Sequence, residues 1–303
     1  MTIKVSILIR TKDVVDSIER SLQLLDAQLM RPCDVIVVDS GSTDGTLECV
    51  QQWDGVRLIS IPACEFTYGR ALNIGCEAAQ GDIVVALSTH AFPRNEYWLD
   101  NLTKHFDDPR VAGVYGRQLP HPDAWPSVAR DYLACYGVTP RVQKNPDEVR
   151  DHFFSNANAS FRRNLWQKRP FAETLPYAED WEWARGMLRL GYTIIYEPKA
   201  EVYHSHNEQP VKHYRRMRKE YEAYKLMYDR RKTILGACME WLDKVRGDIT
   251  FILRNGEARG SLLWAPVYRL FGVLGSLRPS LPDALWQPVS RCFVRLRAKR
   301  RTD

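Results

Sequence analysis

The sequence predicts an α/β protein with a mostly parallel central sheet and a helical C-terminal appendage. Three observations carry this. Short apolar, β-rich runs occur at residues 5–9, 35–38, 56–61 and 83–87, and the last shows little alternation, as a strand covered on both faces does. Helix-spaced apolar residues fill the intervals between most of them, which makes βαβ units with right-handed crossovers. After residue 208 the strand signal stops, and helical patterns rich in Arg and Lys take over.

The first run ends at Arg10, Thr11 and Lys12, and Ile18, Leu22, Leu25 and Leu29 then recur at helical spacing. The second closes on Asp39, Ser40, Gly41, Ser42, Thr43, Asp44 and Gly45 before Leu47 and Val50 resume a helix. In that turn Gly41 permits an unusual backbone angle, and Ser42, Thr43 or Asp44 can cap the following helix. Asp39 stands where the strand stops, so it either meets a ribose or base or belongs to a capped turn. No GxGxxG follows these strands and no GxxxxGK[ST] occurs anywhere, which argues against dinucleotide and P-loop enzymes.

Residues 66–75 open a further helix, in which Ala71, Gly75, Ala78 and Ala79 call for something packed closely. Arg70 and Asn73 share a face near its start, as diphosphate contacts or as ordinary surface residues. The run at 83–87 then ends in Ser88 and His90. A hydroxyl and an imidazole thereby stand at the carboxyl end of a central strand, where open parallel sheets bind ligands, although a histidine there also serves as a structural hydrogen-bonding group.

Further along, Ala184, Met187 and Leu188 lie four, seven and eight residues after Asp180. A helix stopped by Gly191 turns that carboxylate inward with them, while Glu179 and Glu182 fall on other faces. Asp180 is then a general base or a charge complementing the helix dipole. His204 and His206 flank a serine at a strand end and point to one face.

In the appendage Tyr214, Met217, Tyr221, Tyr224 and Tyr228 form an amphipathic stripe, read as packing against the preceding domain. A homodimer seam or a groove for a lipid-linked acceptor is the alternative. Residues 262–277 are apolar but interrupted by Pro266 and Arg269, and shorter than the ~20 residues a membrane span needs. Arg291, Arg295, Arg297, Lys299, Arg300 and Arg301 suit peripheral contact with an anionic membrane, or a solvated basic end.

At 303 residues and 45% apolar content the chain sustains one large domain with an appendage. Its net charge of +6 is mild, and no nucleic-acid partner is expected. Seven scattered cysteines without a CxxC pair suit a reducing compartment, and the start carries no leader pattern, so a cytoplasmic protein is expected.

Taken in order, Asp39 to Asp44, Phe66-x-x-Gly69-Arg70-x-x-Asn73-x-Gly75, Leu87-Ser88-x-His90-Ala91-x-Pro93 and Val114 to Pro120 resemble a family 2 glycosyltransferase of the rhamnosyltransferase-like kind. The match continues through Phe154 to Asn158, Ala178-Glu179-Asp180-x-Glu182-Trp183, Gly191-Tyr192 and Val202-x-His204-Ser205-His206. The resemblance implies a GT-A fold, Rossmann-like, over residues 1–208, with a nucleotide-sugar-binding half at 1–118 and an acceptor-binding half at 119–208. Residues 209–303 are the appendage. It also implies inverting transfer of a sugar from a dTDP-, UDP- or GDP-linked donor to a hydroxyl of a glycan or lipid-linked glycan, in bacterial surface polysaccharide biosynthesis.

By the same resemblance Arg10, Thr11 and Asp39 hold the nucleoside, Ser88 the ribose, and Arg70 and Asn73 the diphosphate. Arg117, Asn158 and Trp183 contact substrate, and His90, His204 and His206 hold a divalent ion, Mn2+ or Mg2+. Asp180 is the base, with Glu179 as its acidic neighbour. One departure stands out: similar enzymes usually carry Asp-x-Asp where this chain has Ser88-Thr89-His90, and imidazole replaces carboxylate as the ligand there. A catalytically silent sugar-nucleotide-binding subunit is the rival reading, opposed by the intact Glu179-Asp180 pair. A sugar-nucleotide pyrophosphorylase is weaker still, because its glycine-rich basic N-terminal loop is not visible.

Overall fold

The computed structural model describes residues 3–148, 153–229, 231–256 and 260–281. The chain divides into two compact units, residues 1–207 and 208–303. The strands of the first are β1 (Val5–Thr11), β2 (Asp34–Asp39), β3 (Val56–Ser60), β4 (Ile83–Ser88), β5 (Phe92–Pro93), β6 (Val111–Leu119), β7 (Arg141–Gln143), β8 (Asn158–Arg162) and β9 (Thr193–Tyr203). Its helices are α1 (Val15–Asp26), α2 (Thr46–Gln51), α3 (Tyr68–Ala78), α4 (Trp98–Thr103), α5 (Pro126–Cys135), α6 (Arg163–Lys168) and α7 (Glu179–Arg189).

All the strands form one sheet in the order β3-β2-β1-β4-β8-β6-β9-β5, with β7 paired to β9. The half containing β3, β2, β1 and β4 is wholly parallel. β8 then enters antiparallel between β4 and β6, so the second half is mixed.

The apolar character of β1, β2 and β4 has a direct cause, whereas β3, at the edge of the sheet, is only partly buried. Ile7, Ile9, Val37, Val85 and Leu87 pack with Ile18, Leu22 and Leu25 of α1 on one face of the sheet. Leu8, Ile36, Val38, Val84 and Ala86 pack with Leu72 and Cys76 of α3 and Trp183 and Met187 of α7 on the other. Each fully buried aliphatic side chain contributes about 1.5–3 kcal/mol, so both faces drive the sheet's formation. The small residues of α3 are explained by the same contact, because a Cβ on Gly75 would lie 2.1 Å from Leu8 Cδ1. α1 is about a turn shorter than its apolar spacing suggests: it closes at Ala27, and Leu29 is left 65% exposed.

The second unit contains α8 (Pro210–Tyr228), α9 (Ile234–Asn255) and α10 (Gly260–Leu277), which runs through Pro266. Within this unit α8 packs on α10: a Cβ on Gly275 would meet the Tyr214 carbonyl at 2.4 Å and Met217 Cβ at 3.1 Å. Two members of the stripe, Tyr214 through its backbone and Met217, thus lie against α10. α9 is tied to α10 by a buried bidentate pair, in which Arg269 Nε and Nη2 donate to the Asp248 carboxylate at 2.7 and 2.8 Å. Among the described residues no helix is long and apolar enough to cross a membrane. The basic cluster at residues 291–301 lies outside the described residues.

Candidate active site

The parallel half of the sheet delivers its strand ends to one edge, where β4 finishes at Ser88. The turn beyond it is pinned from two sides. Thr89 Oγ1 donates to the Arg10 carbonyl at the end of β1, and the Thr89 carbonyl accepts from Ser21 Oγ of α1. This fixes His90, whose Nδ1 lies 3.3 Å from Ser88 Oγ. At the end of β9, Tyr203 is followed by His204 and His206, and both rings reach His90: His204 Nε2 and His206 Nε2 each lie 3.2 Å from His90 Nε2. The candidate ligand atoms of all three histidines lie within 4.8 Å of one another.

The tautomers follow from the outer contacts. His204 Nδ1 is 2.7 Å from Gln118 Oε1, an oxygen that only accepts, so Nδ1 carries the proton and the Nε2 lone pair faces His90. Two or three such lone pairs at 3.2 Å repel unless a proton or a cation lies among them. Imidazoles at about 2.0–2.1 Å from one ion in near-tetrahedral geometry stand roughly 3.3 Å apart, so the cluster has the spacing of a metal site. The contact from Gln118 is the outer-sphere hydrogen bond that orients such a ligand.

Opposite chemistry gathers at the start of α7. Ala178 adopts a left-handed conformation, φ 63°, uncommon for a residue with a side chain, and this sharp entry precedes Glu179 and Asp180. Glu179 is buried and its Oε1 lies 3.5 Å from Arg10 Nη1. Arg10 also donates to the Tyr68 carbonyl and lies over the Tyr68 ring. Asp180 is half-buried; its Oδ2 accepts from the Asn156 N–H at 3.0 Å and its Oδ1 from the Trp181 N–H at 2.9 Å. Burial, and then the Glu179 charge beside it, push its carboxyl up to about 7, against the pull of those two N–H groups and Arg10. A carboxylate poised near neutrality is suited to take a proton from a hydroxyl. Glu182 faces elsewhere and pairs with Arg169.

A continuous line of contacts joins the two ends. His204 bonds Gln118 Oε1, Gln118 Nε2 donates to Ser155 Oγ at 3.0 Å, and the N–H of the next residue, Asn156, holds Asp180. Neither Gln118 nor Asn156 was singled out by the sequence reading. Both stood inside quoted motifs, but nothing in their spacing separates them from their neighbours.

The other residues singled out by the sequence have the following surroundings. Asp39 is fully buried, and its oxygens accept from Thr11 Oγ1, Ser42 Oγ and the N–H groups of Gly41 and Ser42. It organises the turn, whose left-handed Gly41 (φ 87°) closes it. Thr11 is buried as the donor in that arrangement. Asn73 is likewise consumed: Nδ2 donates to the Phe171 carbonyl and Glu173, and Oδ1 accepts from Trp166 Nε1 and the Phe171 N–H. Asn158 is fully buried with Oδ1 on Trp98 Nε1 and Nδ2 on the Ala200 and Arg117 carbonyls. Trp183 is a core residue against Phe154, Phe161 and Phe171, its Nε1 donating to the Arg169 carbonyl. Arg70 is partly exposed between Glu65 and Glu173. Arg117 is held by Glu201 and the Tyr136 carbonyl, and lines a separate recess of about 840 Å³ with Tyr97, Asp100, Lys104 and Glu197; none of the histidines of the cluster nor Asp180 takes part in it.

Comparison with known proteins places this geometry in context. The sequence pattern described as Glycosyl transferase family 2 matches residues 6–169. An O-antigen chain rhamnosyltransferase of Salmonella anatum is 31% identical over 257 residues, covering 79% of this chain and 76% of that protein. A second, of Salmonella typhimurium, is 28% identical over 281 residues, covering 87% and 84%. Among solved structures, a mannosyltransferase from Pyrobaculum calidifontis in complex with GDP-Man and Mn2+ superposes with a TM-score of 0.61 at 20% identity, over 91% of this chain and 88% of that one.

Proposed function

The chain belongs to glycosyl transferase family 2, whose members move a sugar from a nucleotide-sugar donor, and on that premise we propose that it transfers rhamnose to a hydroxyl of a growing O-antigen chain. The single observation that carries the chemistry is the pairing of a half-buried carboxylate, pushed up to about 7, with a three-histidine cluster one line of hydrogen bonds away. An acceptor hydroxyl is a weak nucleophile, and inversion needs one base on its side while the diphosphate departs from the other. Asp180 is that base. Glu179 stays paired with Arg10 and supplies the neighbouring negative charge that helps keep Asp180 basic.

His90, His204 and His206 hold a divalent ion. Such an ion would supply neutralisation of the charge that develops on the departing diphosphate. Three imidazoles without a carboxylate favour a first-row transition ion over magnesium. The donor is a nucleotide-diphosphate deoxyhexose. Transfer from dTDP-rhamnose to a lipid-linked glycan, measured with and without chelator in the parent and in His90→Ala, tests the reading. Chelator-sensitive turnover that drops roughly tenfold or more in the variant is expected, since losing one of three ligands weakens the ion's hold. Full activity of both proteins in chelator would remove the metal assignment.

Residues 208–303 carry 21 Lys and Arg against 10 Asp and Glu, whereas the catalytic unit is net acidic. This supports peripheral attachment to an anionic membrane, the surface on which a lipid-linked acceptor resides. Flotation of the full chain with anionic vesicles should fall as salt rises. Equal recovery with neutral vesicles would remove the idea.

A further inference from the structure

We infer that the carboxamide of Asn156 recognises a hydroxyl of a reacting sugar beside Asp180, an assignment that rests on the glycosyl-transfer reading above. Asn156 is 2% exposed, and neither its Nδ2 nor its Oδ1 has a hydrogen-bond partner. Among the described residues the other orphaned buried side-chain atoms are single atoms of Arg70, Gln143 and Arg185. Arg70 and Gln143 are satisfied through their remaining atoms, and Arg185 has a partner of its own. Asn156 alone among them leaves a whole functional group unsatisfied.

Burying both a donor and an acceptor without partners is unfavourable, and an apolar residue of similar shape would avoid it. The surrounding fold gives Asn156 no compensating role. Its backbone N–H already holds Asp180, Ser155 beside it accepts from Gln118, and Asn158 two positions on is fully engaged. The missing partner is therefore sought outside the chain.

The group's chemistry narrows what that partner is. A carboxamide donates and accepts side by side, and so does a sugar hydroxyl. A phosphate only accepts, which would leave Oδ1 unsatisfied, and a cation is better served by the histidine cluster. Placement agrees, because Asn156 lies on the line of contacts between His204 and Asp180, the interval a sugar occupies between departing diphosphate and base. The carboxamide is covered, so a hydroxyl reaches it only as neighbouring side chains give way. Phe153 and Trp181, in ring contact at 5.7 Å and each half-buried, stand at this end of the site.

The test uses Asn156→Ala and the shape-preserving Asn156→Leu in the full chain. Without any nucleotide, at least one of the two variants should melt no lower than the parent, since unsatisfied groups have been removed. Stabilisation by dTDP should be unchanged. Turnover efficiency should fall roughly tenfold or more in both, as sites built to bind a hydroxyl discriminate strongly when that bond is lost. If the donor supplies the hydroxyl, the extra stabilisation by dTDP-rhamnose over dTDP disappears; if the acceptor does, that remains and the acceptor KM rises. Variants that both melt lower than the parent while turning over at its rate overturn the assignment. A parent protein that neither binds nor turns over dTDP-, GDP- or UDP-linked sugars would instead overturn the transfer reading itself.

Discussion

The turn after β2 and the start of α7 are made of the same material: an aspartate at the end or beginning of a regular element, ringed by backbone N–H groups. Asp39 is fully buried and takes two backbone N–H groups and two hydroxyls, so its accepting capacity is consumed by its own turn. Asp180 takes two N–H groups and has a second carboxylate as its neighbour in the chain. The first arrangement closes a turn. The second leaves a carboxylate with basicity to spare, and the same contrast separates Asn158, with both side-chain polar atoms engaged, from Asn156, with neither.

The largest effect should come from Asp180→Asn, which keeps shape but removes the base. Turnover should fall by about 10²-fold or more while donor affinity stays near the parent's. The parent's rate should itself decline as pH falls through about 7, because the base is then protonated. If Asp180→Asn turns over normally while Glu179→Gln is inactive, the base is Glu179 and the contrast has been drawn at the wrong residue.

The sequence disclosed the first half of this molecule better than the second. Strands β1, β2 and β4 are buried on both faces, so their burial is written as apolar runs. β8 reads Asn158-Ala159-Ser160-Phe161-Arg162, and its polar residues are buried by bonding to carbonyls: Ser160 Oγ to Leu102, and Arg162 to Val111, Phe106 and Asp108. No periodicity announces such partners. α9 was hidden for another reason: Leu235, Met239, Leu242 and Leu253 are exposed while Ala237 and Ile252 are buried, so no single apolar face stands out. At the site, His90, His204, His206 and Asp180 were legible because few residue types do their chemistry. Asn156 and Asn158 were indistinguishable, since only partner atoms separate a scaffold amide from an unsatisfied one.

Asp39→Asn sharpens the comparison from the other side. An amide in that position turns one N–H2 towards donors that need an acceptor, so stability should drop by about 1–3 kcal/mol in denaturant unfolding. The folded fraction should keep near-parent turnover. A variant of parental stability with lost donor binding would mean that Asp39 reaches the nucleoside after all.

The smallest effect is a pH slope at Asp180. The Asp180 carboxyl is pushed up to about 7 in the folded protein, chiefly by burial and then by Glu179, with Arg10 opposing. In the unfolded chain it titrates near an ordinary aspartate value of about 3.9. Between those limits the folded state keeps a proton that the unfolded state has released, so stability falls as pH rises through the window. Below about pH 4 both states are protonated and the penalty is absent; above about 7 both are ionised and it is complete. Asp180→Asn carries no such titration. Its lost acceptor on the Trp181 side adds a constant offset, whereas the relief of the ionised group grows with pH. The melting temperature of the variant relative to the parent should therefore climb by a few degrees between about pH 5 and pH 8. A difference that stays flat across that range would show that the fold does not push the Asp180 carboxyl up, and the comparison would fail.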